Sequence, residues 1–137
     1  FRSLDFCGEF YRIKSTGFLP TPPTPIPVWG AATWPFRSGP LKRAARHQGV
    51  IPSRYDEHDV SPEQLSRLVA DIRALRPQPQ PLDVVYGVNS GQDGVRDREL
   101  VAQYSEAGLT WWMEPLDPWR APFAQLRERL QAGPPRG

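Results

Sequence analysis

The chain has 137 residues, the length of one ordinary domain, with 17 basic and 15 acidic side chains and a formal net charge of +2. The positive charge is almost all arginine, and with basic and acidic side chains nearly balanced over the chain a nucleic-acid partner is not expected. Cys7 is the single cysteine, which excludes an intrachain disulfide and a cysteine-based zinc site; His47 and His58 have no partner at metal-ligand spacing, and no metal is expected.

No stretch approaches the ~20 apolar residues of a membrane span, and the start lacks the charged-then-apolar pattern of a secretory leader. The expected compartment is the cytoplasm, with neither membrane nor nucleic acid as a partner.

Residues 1–24 read as an extended, Pro-rich lead-in to a domain over 25–137. "GEFYRI" (8–13) alternates weakly. "LPTPPTPIP" (19–27) is not helical, because each proline fixes φ, lacks a donor and pushes its predecessor toward extended backbone. "IPVWGA" (26–31) is a short apolar run ending at Gly30. "SGPLKRAARHQG" (38–49) reads as a helix with Pro40 as a first helical residue and Gly49 in the left-handed position after it. "GVIP" (49–52) is a second apolar run.

"SPEQLSRLVADIRALRP" (61–77) is the clearest helix. Ser61 is its N-cap, Gln64 completes a capping box, Leu65, Leu68, Val69, Ile72 and Leu75 share one face, and Pro77 stops it. "LDVVYGV" (82–88) is a third strand-like run, followed by the turn-forming "NSGQDG" (89–94). "DRELVAQYSEAG" (97–108) reads as a helix capped by Asp97, with Leu100, Val101 and Tyr104 inward and Gly108 at its end. "LTWWMEP" (109–115) is the fourth strand, and "APFAQLRERLQAGPP" (121–135) a last helix with Phe123, Leu126 and Leu130 on its inner face.

Four strands alternating with four helices imply an α/β domain with parallel strands and crossover helices. The strands are continuously apolar, as when both faces are buried. Four β/α units fit a small doubly wound sheet or half of an eight-unit (β/α) barrel, which needs ~250 residues in full. A doubly wound nucleotide-binding domain is the lesser option, since "GAATWPFRSG" is a poor glycine-rich loop.

Several segments, in order, resemble the bacterial-luciferase-like flavin-dependent monooxygenase family. They are "GEFYRIKSTGFLPTPPTPIPVWGA", "KRAARHQGVIP", "SPEQLSRLVADIRALR", "YSEAGLTWWMEP" and "RERLQAGPP". The resemblance implies the C-terminal half of a (β/α)8 TIM-type barrel, roughly its fifth to eighth strands. It implies FMN or a deazaflavin as cofactor, hydride transfer to or from that cofactor, oxidation of a small-molecule substrate, and a missing N-terminal half-barrel as partner. Two positions depart from the family pattern: Gly30-Ala31-Ala32 stands where two glycines are usual, and Gln48 where an aspartate is usual.

In such a barrel the site lies at the C-terminal ends of the strands, here expected at 29–33, 50–53, 87–90 and 113–115. The expected cofactor-binding residues are Trp29, Gly30, Ala31, Ala32, Arg37, Val50 and Ile51. Small residues at 30–32 and the helix near Pro40 would receive a phosphate, Arg37 would add a charge-assisted bond, and Trp29, Trp34 or Ile51 would wall the ring. No catalytic side chain is assigned, because a flavin carries the redox chemistry itself.

Plainer roles are expected elsewhere. Trp111 and Trp112 should point to opposite faces of a strand. Glu114 should be a solvated loop carboxylate, and His47 should sit at a helix C-terminus. His58, Asp56, Glu57 and Asp59 form a charged loop without regular cation-ligand spacing. A missing half-barrel should leave Val84, Val85, Trp111 and Met113 lining an open groove. The alternative function is a stand-alone half-barrel without catalysis that acts through self-association, as a homodimer, its unpaired sheet edges inviting a second copy.

Overall fold

The computed structural model describes residues 4–16, 23–56, 58–76, 81–88, 90, 94–119 and 121–134. A two-stranded antiparallel ribbon comes first, β1 (Leu4–Cys7) and β2 (Arg12–Thr16), closed by Gly8 N–H donating to the Tyr11 carbonyl at 2.9 Å. The stretch 8–13 is therefore the turn and the start of β2, not an alternating strand. Phe6, Phe10, Tyr11 and Ile13 on this ribbon are exposed.

The remainder is α/β. Strands β3 (Trp29–Trp34), β4 (Gly49–Arg54), β5 (Asp83–Tyr86) and β6 (Trp111–Trp112) form one parallel sheet in that order. Helices α1 (Ser38–Ala44), α2 (Pro62–Leu75) and α3 (Gly94–Glu106) connect them, and α4 (Phe123–Ala132) follows β6. Strand order never reverses among the four, so the sheet has no switch point of the doubly wound kind. No helix among the described residues is long and apolar enough to cross a membrane.

Register assigns each residue to a face. Trp29 pairs with Gly49 and Gly49 with Asp83, while Gly30 pairs with Val50 and Val50 with Val84. Side chains alternate along a strand, so Ala32, Val50 and Val84 share one face. That face carries the core: these three, with Leu41 and Ala44 of α1, Leu65, Leu68, Val69 and Ile72 of α2, and Tyr104 of α3, form one buried cluster. The opposite face presents Trp29, Ala31, Ile51, Asp83 and Trp111, and Trp111 remains 55% exposed.

Helix α2 matches its sequence closely. Ser61 Oγ accepts from Gln64 N–H, Gln64 Oε1 accepts from Ser61 N–H, and Pro62 opens the first turn. Leu75 departs from the expected inner face and is exposed at the last turn. Helix α3 begins at Gly94, so Asp97 lies within its first turn instead of capping it. Gly108 ends α3 with φ +99°, a conformation that disfavours any side chain.

Helix α4 lacks the expected buried stripe: none of its residues is buried, and Phe123 and Leu130 are 79% and 66% exposed. Periodicity marked an apolar face here, but none of the described residues covers it. Gly49, expected in the left-handed position after α1, instead opens β4. Helix α1 already ends at Ala44, and the chain turns through 45–48 before the strand.

Candidate functional site

Strand β3 runs through the Gly-Ala-Ala segment to Trp34, so 30–32 is not a strand end. The strand therefore ends four residues beyond Gly30. At ~3.3 Å per residue, Trp29 lies ~13 Å from Thr33 along the strand, at the N-terminal end of the sheet. The C-terminal end of β3 is Thr33–Trp34, followed by Pro35, Phe36 and Arg37.

The seven expected cofactor residues divide between two faces and two ends. Ala32 and Val50 are fully buried in the core beneath the helices. Gly30 faces α1, where an added Cβ would lie 3.0 Å from Ala44 Cα; its smallness serves close strand–helix packing. Trp29 is on the bare face but at the wrong end. Ala31 and Ile51 lie side by side on the bare face, paired in register. Trp34, the other expected ring wall, is half-buried and packs edge-on against Phe36 at 5.1 Å.

Ala31 and Arg37 do meet. They line a cleft of about 480 Å³ with Thr33, Pro35, Pro40, Arg43 and Tyr55. Two guanidinium groups and a phenol surround it, with an apolar wall from Ala31 and two prolines. Thr33 and Ser53 share a hydroxyl–hydroxyl bond of 3.0 Å across β3 and β4 at this end. Chemically, the cleft suits an anion whose oxygens accept from arginine. Arg43 and Tyr55 were missed from the sequence. A signal for Arg43 existed: positions 37, 40 and 43 follow one helical stripe.

The loop after β4 is tied down by charge. Arg54 Nε donates to Asp56 Oδ1 at 2.6 Å, and Nη1 donates to Gln64 Oε1 at 3.1 Å. The bond from Arg54 holds the Asp56 carboxyl down at about 2, and the Asp56 partnership raises Arg54 in turn. Asp59 accepts from the Tyr86 hydroxyl at 3.3 Å. His58 is exposed and Glu57 lies outside the described residues. Ser61 lowers the Glu63 carboxyl by donating to it.

Two tyrosines are used structurally. Tyr104 Oη donates to the Val60 carbonyl at 2.7 Å, and Tyr86 Oη accepts from Val60 N–H at 2.7 Å. Burial raises both phenols, Tyr104 the more strongly. His47 does lie just beyond α1, its N–H bonded to Ala44 O and its carbonyl to Arg76 Nη1 at 2.8 Å.

Trp111 and Trp112 point to opposite faces, as alternation requires. Trp112 packs against Tyr104 at 5.9 Å in the helix layer. Trp111 lies 6.2 Å from Trp29 on the bare face, and both indoles donate to Asp83: Trp29 to Oδ2 at 3.1 Å and Trp111 to Oδ1 at 3.2 Å. Of the expected open groove, Trp111 and Met113 are exposed, Val85 is buried, and Val84 lies in the core on the other face.

Glu114 is not a solvated loop carboxylate. It accepts from Ser90 Oγ at 2.6 Å and from Trp112 Nε1 at 3.0 Å, and pairs with Arg129 of α4. Ser90 is the buried polar side chain of the segment after β5; positions 89 and 91–93 of the expected turn lie outside the described residues. No cluster of metal-ligating side chains occurs among the described residues.

Comparison with known proteins returned no matching family model, no similar curated protein and no similar solved structure.

Proposed function

We propose that the chain is the C-terminal half of a luciferase-like flavin-dependent (β/α)8 barrel and binds FMN or a deazaflavin. The observation that carries this reading is the sheet: four parallel strands in sequential order, core on one face, and Trp29, Trp111 and Met113 exposed on or beside the other. Right-handed crossovers that always step the same way put every connecting helix on one side. Four consecutive barrel units have this form, and their bare face is the barrel interior. The edges at β3 and β6 would then pair with strands of the N-terminal half.

The arginine-lined cleft fits the phosphate end of such a cofactor. It opens at the C-terminal ends of β3 and β4, where barrel sites lie. Arg37 and Arg43 neutralise the phosphate and hold it by charge-assisted bonds. Ala31 and Ile51 give the ring a low apolar floor, and a small-molecule substrate is admitted above it. Bound flavin supplies the hydride chemistry, and the residues here hold and orient it. Gly30, Ala32 and Val50 support this site from behind as core, and Trp29 belongs to the far end.

The test is a titration of the protein with FMN and with a deazaflavin, followed by cofactor fluorescence. Saturable binding at micromolar levels is expected, weakened at least about tenfold by Arg37→Glu combined with Arg43→Glu. No binding up to millimolar concentration overturns the reading.

A second reading has its own observation. Exposed Trp29, Trp111 and Met113 on the bare side also fit a stand-alone half-barrel that acts by pairing with a second copy. Light scattering on the same sample separates the two, because self-association doubles the mass without any cofactor.

A further inference from the structure

Two indoles on the bare face are tied to one carboxylate. Trp29 Nε1 donates to Asp83 Oδ2 at 3.1 Å and Trp111 Nε1 to Asp83 Oδ1 at 3.2 Å, so β3, β5 and β6 each supply one member of the group. Trp29, Gly49 and Asp83 stand in one row across the sheet. The Trp29 indole reaches Asp83 over Gly49, where an added Cβ would lie 2.5 Å from its ring. None of these residues lines the arginine-lined cleft.

The carboxylate has no counter-ion. Both bonds to its oxygens from other side chains come from uncharged indoles, and among the described residues no arginine, lysine or histidine pairs with it. Asp83 is partly exposed, so a cation arriving from solvent comes within range of its charge.

The rings beside it favour the same sign of ligand. Trp29 is 38% and Trp111 55% exposed. Their N–H groups are given to Asp83, so what the two side chains offer a ligand is π surface. Indole is the strongest aromatic partner for a cation, acting within ~6 Å of the ring centroid. The centroids lie 6.2 Å apart with the planes at 45°, which lets one cation stand within that reach of both. Donation of each N–H to an anion also polarises the ring toward a more negative face.

Hydrogen bonding narrows the class. The ring faces hold no lone-pair acceptor, and each Asp83 oxygen already accepts one indole N–H. A primary ammonium brings three donors and a firmly held water shell, and would exchange that water for few partners. A quaternary ammonium has no N–H to satisfy, and its methyl groups pack on the rings.

We propose that Trp29, Trp111 and Asp83 bind a small quaternary ammonium compound of the choline type, with its methyl groups on the two indoles and its charge beside the carboxylate. This site does not depend on the flavin reading.

Choline chloride is the probe, exchanged against sodium chloride at constant ionic strength. The indole N–H signals of Trp29 and Trp111, assigned with Trp29→Phe and Trp111→Phe, are followed by two-dimensional NMR. Both should shift along one saturation curve with a midpoint in the millimolar range, while those of Trp34 and Trp112 stay in place. The neutral isostere of choline, with carbon in place of nitrogen, should bind about tenfold more weakly. Ethanolamine, whose ammonium carries three N–H groups, should also bind more weakly than choline. Asp83→Asn removes the charge and should bring choline down to the level of its isostere, with the isostere's own binding unchanged. Trp111→Leu removes one ring from an exposed position and should weaken choline about fivefold. No saturable shift below about 0.1 M choline, equal binding of choline and its isostere, ethanolamine binding as tightly as choline, or choline affinity that survives Asp83→Asn overturns the proposal.

Discussion

One sheet carries two unlike faces. On the covered face the strands are small where they meet α1, with Gly30 against Ala44 and Ala32 in the same buried cluster, and the bulk comes from Leu65, Leu68 and Ile72 of α2. On the bare face the strands carry the bulk themselves, in Trp29, Ile51 and Trp111, and the largest of these side chains are exposed. Both faces carry apolar side chains, although the bare one also holds Asp83, Thr33 and Ser53. The difference shows that cover, not composition, separates them: among the described residues only one face has its partner layer.

Substitutions can break this contrast, and the largest effect belongs to the covered face. Leu68→Ala empties a fully buried position and should cost about 3 kcal/mol, read as a lower urea midpoint. Gly30→Val drives a branched side chain into Ala44 and should cost about 2 kcal/mol. If either change proves neutral, α1 and α2 do not pack on this face as described.

Tyr104→Phe should cost about 1 kcal/mol, since it leaves the Val60 carbonyl without its donor. It also alters the response to alkali. Burial raises the folded-state phenol above its ordinary value of 10.0, so the unfolded chain ionises first. The stability Tyr104 contributes is whole below pH 10 and is lost as pH rises beyond it. Thermal melts between pH 9 and 11 should fall less steeply in the phenylalanine variant.

Trp111→Ala on the bare face should change monomer stability by less than about 1 kcal/mol. Any self-association through that face should nevertheless disappear by light scattering. A large loss of monomer stability would mean the face is covered after all.

The smallest effect is expected at Asp56. Its carboxyl sits at about 2, below the ordinary 3.8, chiefly through the bond from Arg54. The clamp is intact above pH 3.8 and is lost as pH falls toward 2. Amide exchange at 54–56 should quicken over that window in the native protein and be quick throughout in Asp56→Asn, with the urea midpoint hardly moved.

Much of this architecture is legible in the sequence because its signals are local. The capping box at Ser61 and Gln64, the stripe through Leu65, Leu68, Val69 and Ile72, and the left-handed Gly108 all stand where residue type alone puts them. The four apolar runs mark four strands, and the Trp111–Trp112 pair divides between faces as alternation demands.

The candidate site was less legible, because it depends on where a strand stops. Reading β3 as ending at Gly30 gathered Gly30, Ala31 and Ala32 into one site. Extending the strand to Trp34 sends Gly30 and Ala32 to the core face and leaves Ala31 on the bare face, where it lines one cleft with Arg37. The partners of Glu114 come from the segment after β5 and from α4, too far along the chain for spacing to announce them. The apolar stripe of α4 was readable, but the layer meant to cover it was not.

Gly49 ties three of these strands together. An added Cβ there would lie 2.5 Å from the Trp29 ring and 2.6 Å from the Asp83 carbonyl oxygen. The missing side chain is what lets an indole from β3 reach over β4 to a carboxylate on β5. Any alanine at 49 would have to be matched by a smaller group at 29 and a moved backbone at 83. Inheritance along this lineage should therefore treat positions 29, 49 and 83 as a single character: a triplet that changes together or stays as it is.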